Sequence, residues 1–313
     1  MVANGSDDAR NSSDASTRAA YTGAFDKVGA SSASPPMTWK LLGDGAGCLL
    51  VAMMLIMAAG WLVAIKSGNT GWIDVCWTFG LGLVGIGAAV LPSVLFHPDA
   101  TDGPQGIAGR GVLCAVLIAA WSLRLGIHIA RRSHASGDDP RYAQLRKEWG
   151  AHYPSRLFLF LQIQAIAGLP LLLGVLVAAC RPGPLGDIRD VAAVVLFCIA
   201  VGGEAAADRS LRRFGKLPHR REAVCDIGLW RWSRHPNYFF EWLAWLAWPV
   251  MALGSAGYPW GGWTLLAPIL MYWLLVHVSG IPPLEAHMAR SRGAAWQAYV
   301  AKTSAFFPLP RKK

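Results

Sequence analysis

The feature that most limits what this chain can fold into is a succession of apolar stretches, each about 20 residues long, that begins at Leu41 and recurs almost to the C-terminus. A helix rises about 1.5 Å per residue, so roughly 20 apolar residues cross the ~30 Å of hydrocarbon in a bilayer. By that rule about seven segments span, near 41–65, 70–96, 106–130, 157–180, 188–207, 238–257 and 261–281. With 54% apolar and only 15% charged residues, the chain has too little charge to cover a soluble fold and suits helices that face lipid. The predicted fold class is therefore all-α, a polytopic membrane protein. The balance rules out a chain disordered throughout and argues against an ordinary cytosolic enzyme.

Residues 1–38 are rich in Ser, Ala, Asp and Gly without apolar periodicity, and are expected to form a disordered N-terminal tail. They lack the basic-then-apolar order of a secretory signal. Residues 39–313 then form the membrane domain. The net charge of +10 suits nucleic acid, anionic lipid or a phosphate-bearing ligand, and position decides between them. Cations crowd the connectors at 131–156 and 208–236, whereas 97–105 and 258–261 have none. Because Lys and Arg stay on the cytoplasmic side, this alternation predicts an N-terminus outside and a C-terminus in the cytosol. It accounts for most of the charge, so membrane lipid is an expected partner and nucleic acid is not. A bacterial inner membrane is preferred to the endoplasmic reticulum. The six cysteines show neither CxxC nor zinc spacing; they read as small buried side chains, and no metal is expected. Glycines at 80, 82, 85, 87, 202 and 203 predict close helix contacts.

The densest chemistry lies between Asp208 and Glu241. The connector carries eight cations: Arg209, Arg212, Arg213, Lys216, Arg220, Arg221, Arg231 and Arg234. Most are Arg, whose planar fork grips phosphate bidentately, which favours a phosphate-bearing ligand over a pure orientation signal. The stretch Arg234, His235, Pro236, Asn237, Tyr238, with Glu241 after it, stands at the mouth of the sixth span. Pro236 suits a first helical turn. Asn237 and Glu241, four apart, then share a face, as binders of a carboxamide or ribose or as an inter-helix clamp. Asp74 is the only acid in the second span. Arg124 and His128 share a face of the third, and Tyr142 follows on the next loop. Asp74 working with His128 or Tyr142 is one reading; the other has Asp74 paired with Arg124 to hold two helices in register. Trp242, Trp245 and Trp248 at spacing three read as packing or lipid contact rather than the wall of a steroid site, and of Gln162 and Gln164, two apart, at most one faces a cavity.

The stretch GLWRWSRHPNYFFEW, with Asp208 upstream and WQAYVAKTSAFFPLP at the end, resembles the C-terminal region of the steroid 5-alpha-reductase family. From about residue 40 onward the chain is similar to its bacterial-type branch, through GNTGWIDVCWTFG, WSLRLGIHIARR, DDPRYAQLRKEWG and FLQIQ. The resemblance implies a seven-helix bundle that holds NADPH in a cavity open to the cytosol and reduces a carbon–carbon double bond conjugated to a ketone in a lipophilic substrate. It implies that the half from about 188 to 313 binds the cofactor, with Asn237, Glu241 and Tyr238 at the nicotinamide end, in the turn that Arg234 and His235 begin. Glu204 and Asp208 fall at positions facing its adenosine half, and Arg212 near its phosphates. Two family arginines fall on Gly215 and Ala223, with Lys216, Arg220 and Arg221 as close substitutes, and a family histidine falls within a residue of His287. Asp74 matches the family's catalytic carboxyl. The family tyrosine falls on Trp121, which cannot protonate an enolate, so Arg124, His128 and Tyr142 become the candidates for that step. RHPxY also occurs in isoprenylcysteine carboxyl methyltransferases, which use S-adenosylmethionine, and that is the rival enzyme reading. A non-enzymatic transporter or scaffold, with Asp74, Glu204 and Glu241 lining a pathway, is the third.

Overall fold

The computed structural model describes residues 37–96, 109–136, 140–218 and 223–311. The expected N-terminal tail lies almost wholly outside them, as do Arg220 and Arg221. Among the described residues there is no named strand, and ten α-helices follow one another: α1 Trp39–Ser67, α2 Gly71–Phe96, α3 Gly109–Ser136, α4 Pro140–Trp149, α5 Tyr153–Ala179, α6 Ile188–Phe214, α7 Pro236–Trp245, α8 Ala247–Ala252, α9 Leu266–Trp273 and α10 Ile281–Lys302. Six helical stretches among them are long and apolar enough to cross a membrane, so the chain is a multi-pass integral membrane protein.

The boundaries depart from the hydropathy reading in two places that matter. Segment 238–257 is not one helix: it divides at Leu246 into α7 and α8. Pro249 explains the break, because it has no N–H for the carbonyl of Trp245 four residues earlier and its ring collides with that carbonyl. Segment 188–207 runs on to Phe214, so Asp208, Arg212 and Arg213 are helical rather than in a loop. A charged last turn is no obstacle once a helix leaves hydrocarbon, and apolar counting stops too early there.

Side chains such as Leu55, Leu83, Val116 and Ile199 are more than half exposed on the outer faces, as helices solvated by lipid require. Inside, α2 packs along α3 at glycine distance. A Cβ on Gly82 would stand 2.1 Å from Ser122 Oγ, and one on Gly203 of α6 would stand 2.4 Å from the Phe240 ring of α7. Gly80 and Gly85 are similarly close, whereas Gly87 and Gly202 face open space or ordinary contact. Three cysteines are buried as expected, but Cys48 and Cys198 face outward. In an apolar span a thiol is as tolerable against lipid as in the core.

At one end of the bundle a buried ionic clasp ties α3 to α6. The Arg110 guanidinium is 2% exposed and donates to both oxygens of Asp190 at 2.9 and 3.0 Å, and to the carbonyls of Arg181, Gly183 and Pro184. Arg181 donates to Asp187 at 2.6 and 2.9 Å and to Asp190 at 2.9 Å. Asp187 caps α6 through the amides of Arg189 and Asp190. The Arg181 bonds hold the Asp187 carboxyl down at about 2. Nothing in the hydropathy pattern singled these residues out.

Candidate functional site

The other, arginine-rich end carries the polar groups. α3 and α6 run parallel there, for partner numbers rise together. Arg124 meets both Glu204 and Asp208 in close ion pairs, and His128 approaches Asp208 at 3.7 Å and Arg212 at 3.1 Å. Glu204 and Asp208 are each 4% exposed and lie one helical turn apart on α6, as the rungs need. Glu204 Oε2 has no partner among the described residues. Charged groups at this depth persist only when paired or used, and Arg124 serves two carboxylates at once.

α7 begins at Pro236, as its missing N–H predicts. One turn in, Glu241 is 6% exposed and accepts from Trp121 Nε1 at 2.9 and 3.1 Å and from Trp245 Nε1 at 2.9 Å. The two indoles also meet edge to face at 4.9 Å. Trp121, which by resemblance stands at a tyrosine position, thus holds a carboxylate instead. Trp245, four after Glu241, was legible as a partner from spacing alone. The half-buried carboxamide of Asn237 has no hydrogen bond to the described residues.

Arg234 and His235 are engaged elsewhere. Arg234 donates to Glu285 at 2.8 and 3.2 Å and to Thr303 O at 2.7 Å, and His235 Nε2 lies 2.9 Å from Glu285, so the start of α7 is tied to α10. His235 stacks on Tyr238. Glu285 was missed by sequence reasoning, its only signal being an acid two residues after paired prolines.

Asp74 pairs with Arg141 at 2.5 Å, not with Arg124, which corrects the register reading: Arg124 is already taken by the acids of α6. Beside it the buried Tyr142 hydroxyl accepts from Gln164 Nε2 at 3.2 Å, and Arg141 lies over the Tyr142 ring. Asp74 therefore neighbours Tyr142, while His128 belongs to the Arg124 cluster. Tyr238 is within electrostatic range of Asp74, Arg141, Arg132 and Asp208. Arg212, Lys216 and His287 are exposed. Trp245 and Trp248 are core residues, which decides the tryptophan stripe for packing.

A cavity of about 310 Å³ opens between the end of α6, residues 223–225 and α10. Its lining is mostly apolar, including Phe214, Trp230, Met288 and Trp296, with Arg234 and His235 at one side. Gly215 and Ala223, where the resemblance implies arginines, are in this wall. Asn237 and Glu241 do not line it. Burial pushes the Cys225 thiol in this wall up to about 11, so it stays protonated at neutral pH and is no nucleophile.

A family model described as "Protein of unknown function (DUF1295)" matches residues 60–303. No curated protein and no solved structure matches the chain.

Proposed function

We propose, from the premise that the chain belongs to the DUF1295 family, that this membrane protein is an NADPH-dependent reductase of a carbon–carbon double bond in a lipophilic, enone-like substrate. The observation that carries the reading is the buried ladder of Arg124, Glu204 and Asp208 beside Glu241 and the open carboxamide of Asn237. A bundle that needed only stability would gain little from three acids and one guanidinium at this depth. A non-enzymatic scaffold leaves that arrangement unexplained.

The residues present fit the cofactor at its nicotinamide end. A carboxylate offers about four acceptor positions and Glu241 receives two indole N–H groups, one shared between its oxygens, which leaves room for an amide N–H, and the Asn237 amide has both donor and acceptor to give. Asn237, Tyr238 and Glu241 would hold that end; Arg212 and Lys216, exposed at the arginine-rich end, would meet the phosphates. Arg234 and His235 brace α10 and are removed from the binding set. When bound, the reduced nicotinamide supplies a hydride. The chain's own task is to orient an acceptor, exclude water and provide a proton, for which Asp74, Tyr142 and the Arg124 cluster are the candidates. The positive-inside rule puts the arginine-rich end in the cytosol, where the cofactor is, and we assign the protein to a bacterial inner membrane. A lipophilic substrate then arrives laterally through the bilayer.

The test is thermal stability of the purified protein in detergent. A ligand that binds only the folded state stabilises by about 2.7 kcal/mol at 100 times its Kd. NADPH should raise Tm, and Asn237→Ala should lose that rise while expressing normally. Stabilisation by S-adenosylmethionine and not by NADPH would replace this reading with the methyltransferase one.

A further inference from the structure

Reduction of a double bond consumes a proton as well as a hydride, and a site at membrane depth has no bulk water to supply it. Four residues of helix advance about 6 Å, so Arg212, Asp208 and Glu204 step inward along one side of α6 over about 12 Å. His128 and Arg124 step inward beside them on α3. Asp208 pairs with Arg124 at the inner rung and has the half-buried His128 3.7 Å away at the outer one.

The distribution of partners along these rungs is uneven. Asp208 has its bond from Arg124, and both oxygens of Glu241 receive indole N–H groups. Glu204 has Oε1 against Arg124, and its buried Oε2 has no donor among the described residues. One guanidinium therefore faces three carboxylates at this depth, with Arg212 a turn farther out. An ionised oxygen buried without a donor is costly, and a proton on it removes both the charge and the unmet acceptor. The groups facing this oxygen's surroundings are Arg124 and His128 from α3, Asp208 and Arg212 from α6, and Glu241 from α7, with Arg132 acting on His128 from the end of α3.

We propose that Glu204 Oε2 is a proton-binding site, loaded from the arginine-rich end through His128 and Asp208. Its use in turnover rests on the reductase reading, but the site itself does not. In that use reduced nicotinamide, when bound, would supply the hydride to one carbon of the double bond, and Glu204 would release its proton to the other. Glu204 is left as the carboxylate and takes a new proton from water through His128 and Asp208.

The experiment uses the full chain in detergent without ligand. Infrared spectra at neutral pH should show a protonated-carboxyl C=O band that shifts in D2O, is absent in Glu204→Gln and persists in Glu241→Gln. His128→Phe should keep the band but slow its exchange at least about tenfold. Gln mimics a neutral carboxyl, so Glu204→Gln should melt within about 2 °C of the parent, whereas Asp208→Asn, which removes a true countercharge of Arg124, should fall by about 6 °C or more. No such band, a band surviving Glu204→Gln, a loss of stability in Glu204→Gln equal to that in Asp208→Asn, or unchanged exchange in His128→Phe overturns the proposal. A missing NADPH shift with the band intact sinks the reductase reading alone; a missing band with the shift intact sinks the proton site alone.

Discussion

Replacing Trp121 by Phe isolates the part that this residue plays in holding Glu241. Phe keeps an aromatic ring against Trp245 but deletes the one N–H that reaches both Glu241 oxygens at 2.9 and 3.1 Å. Trp121 is 1% exposed and Glu241 6%, so water cannot replace the lost donor. A hydrogen bond to a charged group contributes about 1.5–3 kcal/mol, and the volume left by the missing ring adds about 1 kcal/mol. The expected loss is therefore about 2.5–4 kcal/mol, or on the order of 5–15 °C in Tm for a chain of this size. Differential scanning of Trp121→Phe, Glu241→Leu and the double variant in one detergent measures it as a cycle. Glu241→Leu removes the charge that the indole serves, so the double variant should be at least about 1.5 kcal/mol better than the sum of the singles. Additivity within about 0.5 kcal/mol would refute the reasoning, because it would mean that the indole and the carboxylate do not sense each other.

Other perturbations reach the rest of the fold. Asp190→Asn leaves the 2% exposed guanidiniums of Arg110 and Arg181 short of a countercharge and should cost about 3–5 kcal/mol in chemical denaturation; Arg110→Met with Asp190→Leu should recover part of that loss. Asp187 has a carboxyl held at about 2 against an ordinary 3.8. Its stabilisation is complete above 3.8 and vanishes as pH falls through about 2, so the acid-induced drop in Tm over that window should shrink in Asp187→Asn. Gly82→Ala forces a Cβ to 2.1 Å from Ser122 Oγ and should cost about 1–3 kcal/mol in Tm-derived stability, whereas Gly202→Ala, which meets nothing, should be neutral. Glu285→Ala releases Arg234 and His235 together and should speed amide exchange across α10 more than across α3.

What sequence alone determined here is what a single segment settles by itself. The long apolar runs dictate spanning helices because lipid offers the backbone no hydrogen bonds, and Pro236 marks the start of α7 because its missing N–H is harmless only in a first turn. The acids and arginines that crowd the site were visible too, since charge inside an apolar run stands out wherever it falls. Pro249 carried a readable break that hydropathy counting passed over. What only the tertiary structure decided is who meets whom. Arg124 had Asp74 and the α6 acids as possible partners, and the relative rotation and depth of α2, α3 and α6 gave it Glu204 and Asp208 and left Asp74 to Arg141. The same placement gave Glu241 an indole from a helix 120 residues away and left Glu204 Oε2 without a partner among the described residues. Such pairings follow from how rigid helices slide and turn against one another, a property shared among segments that no one of them contains.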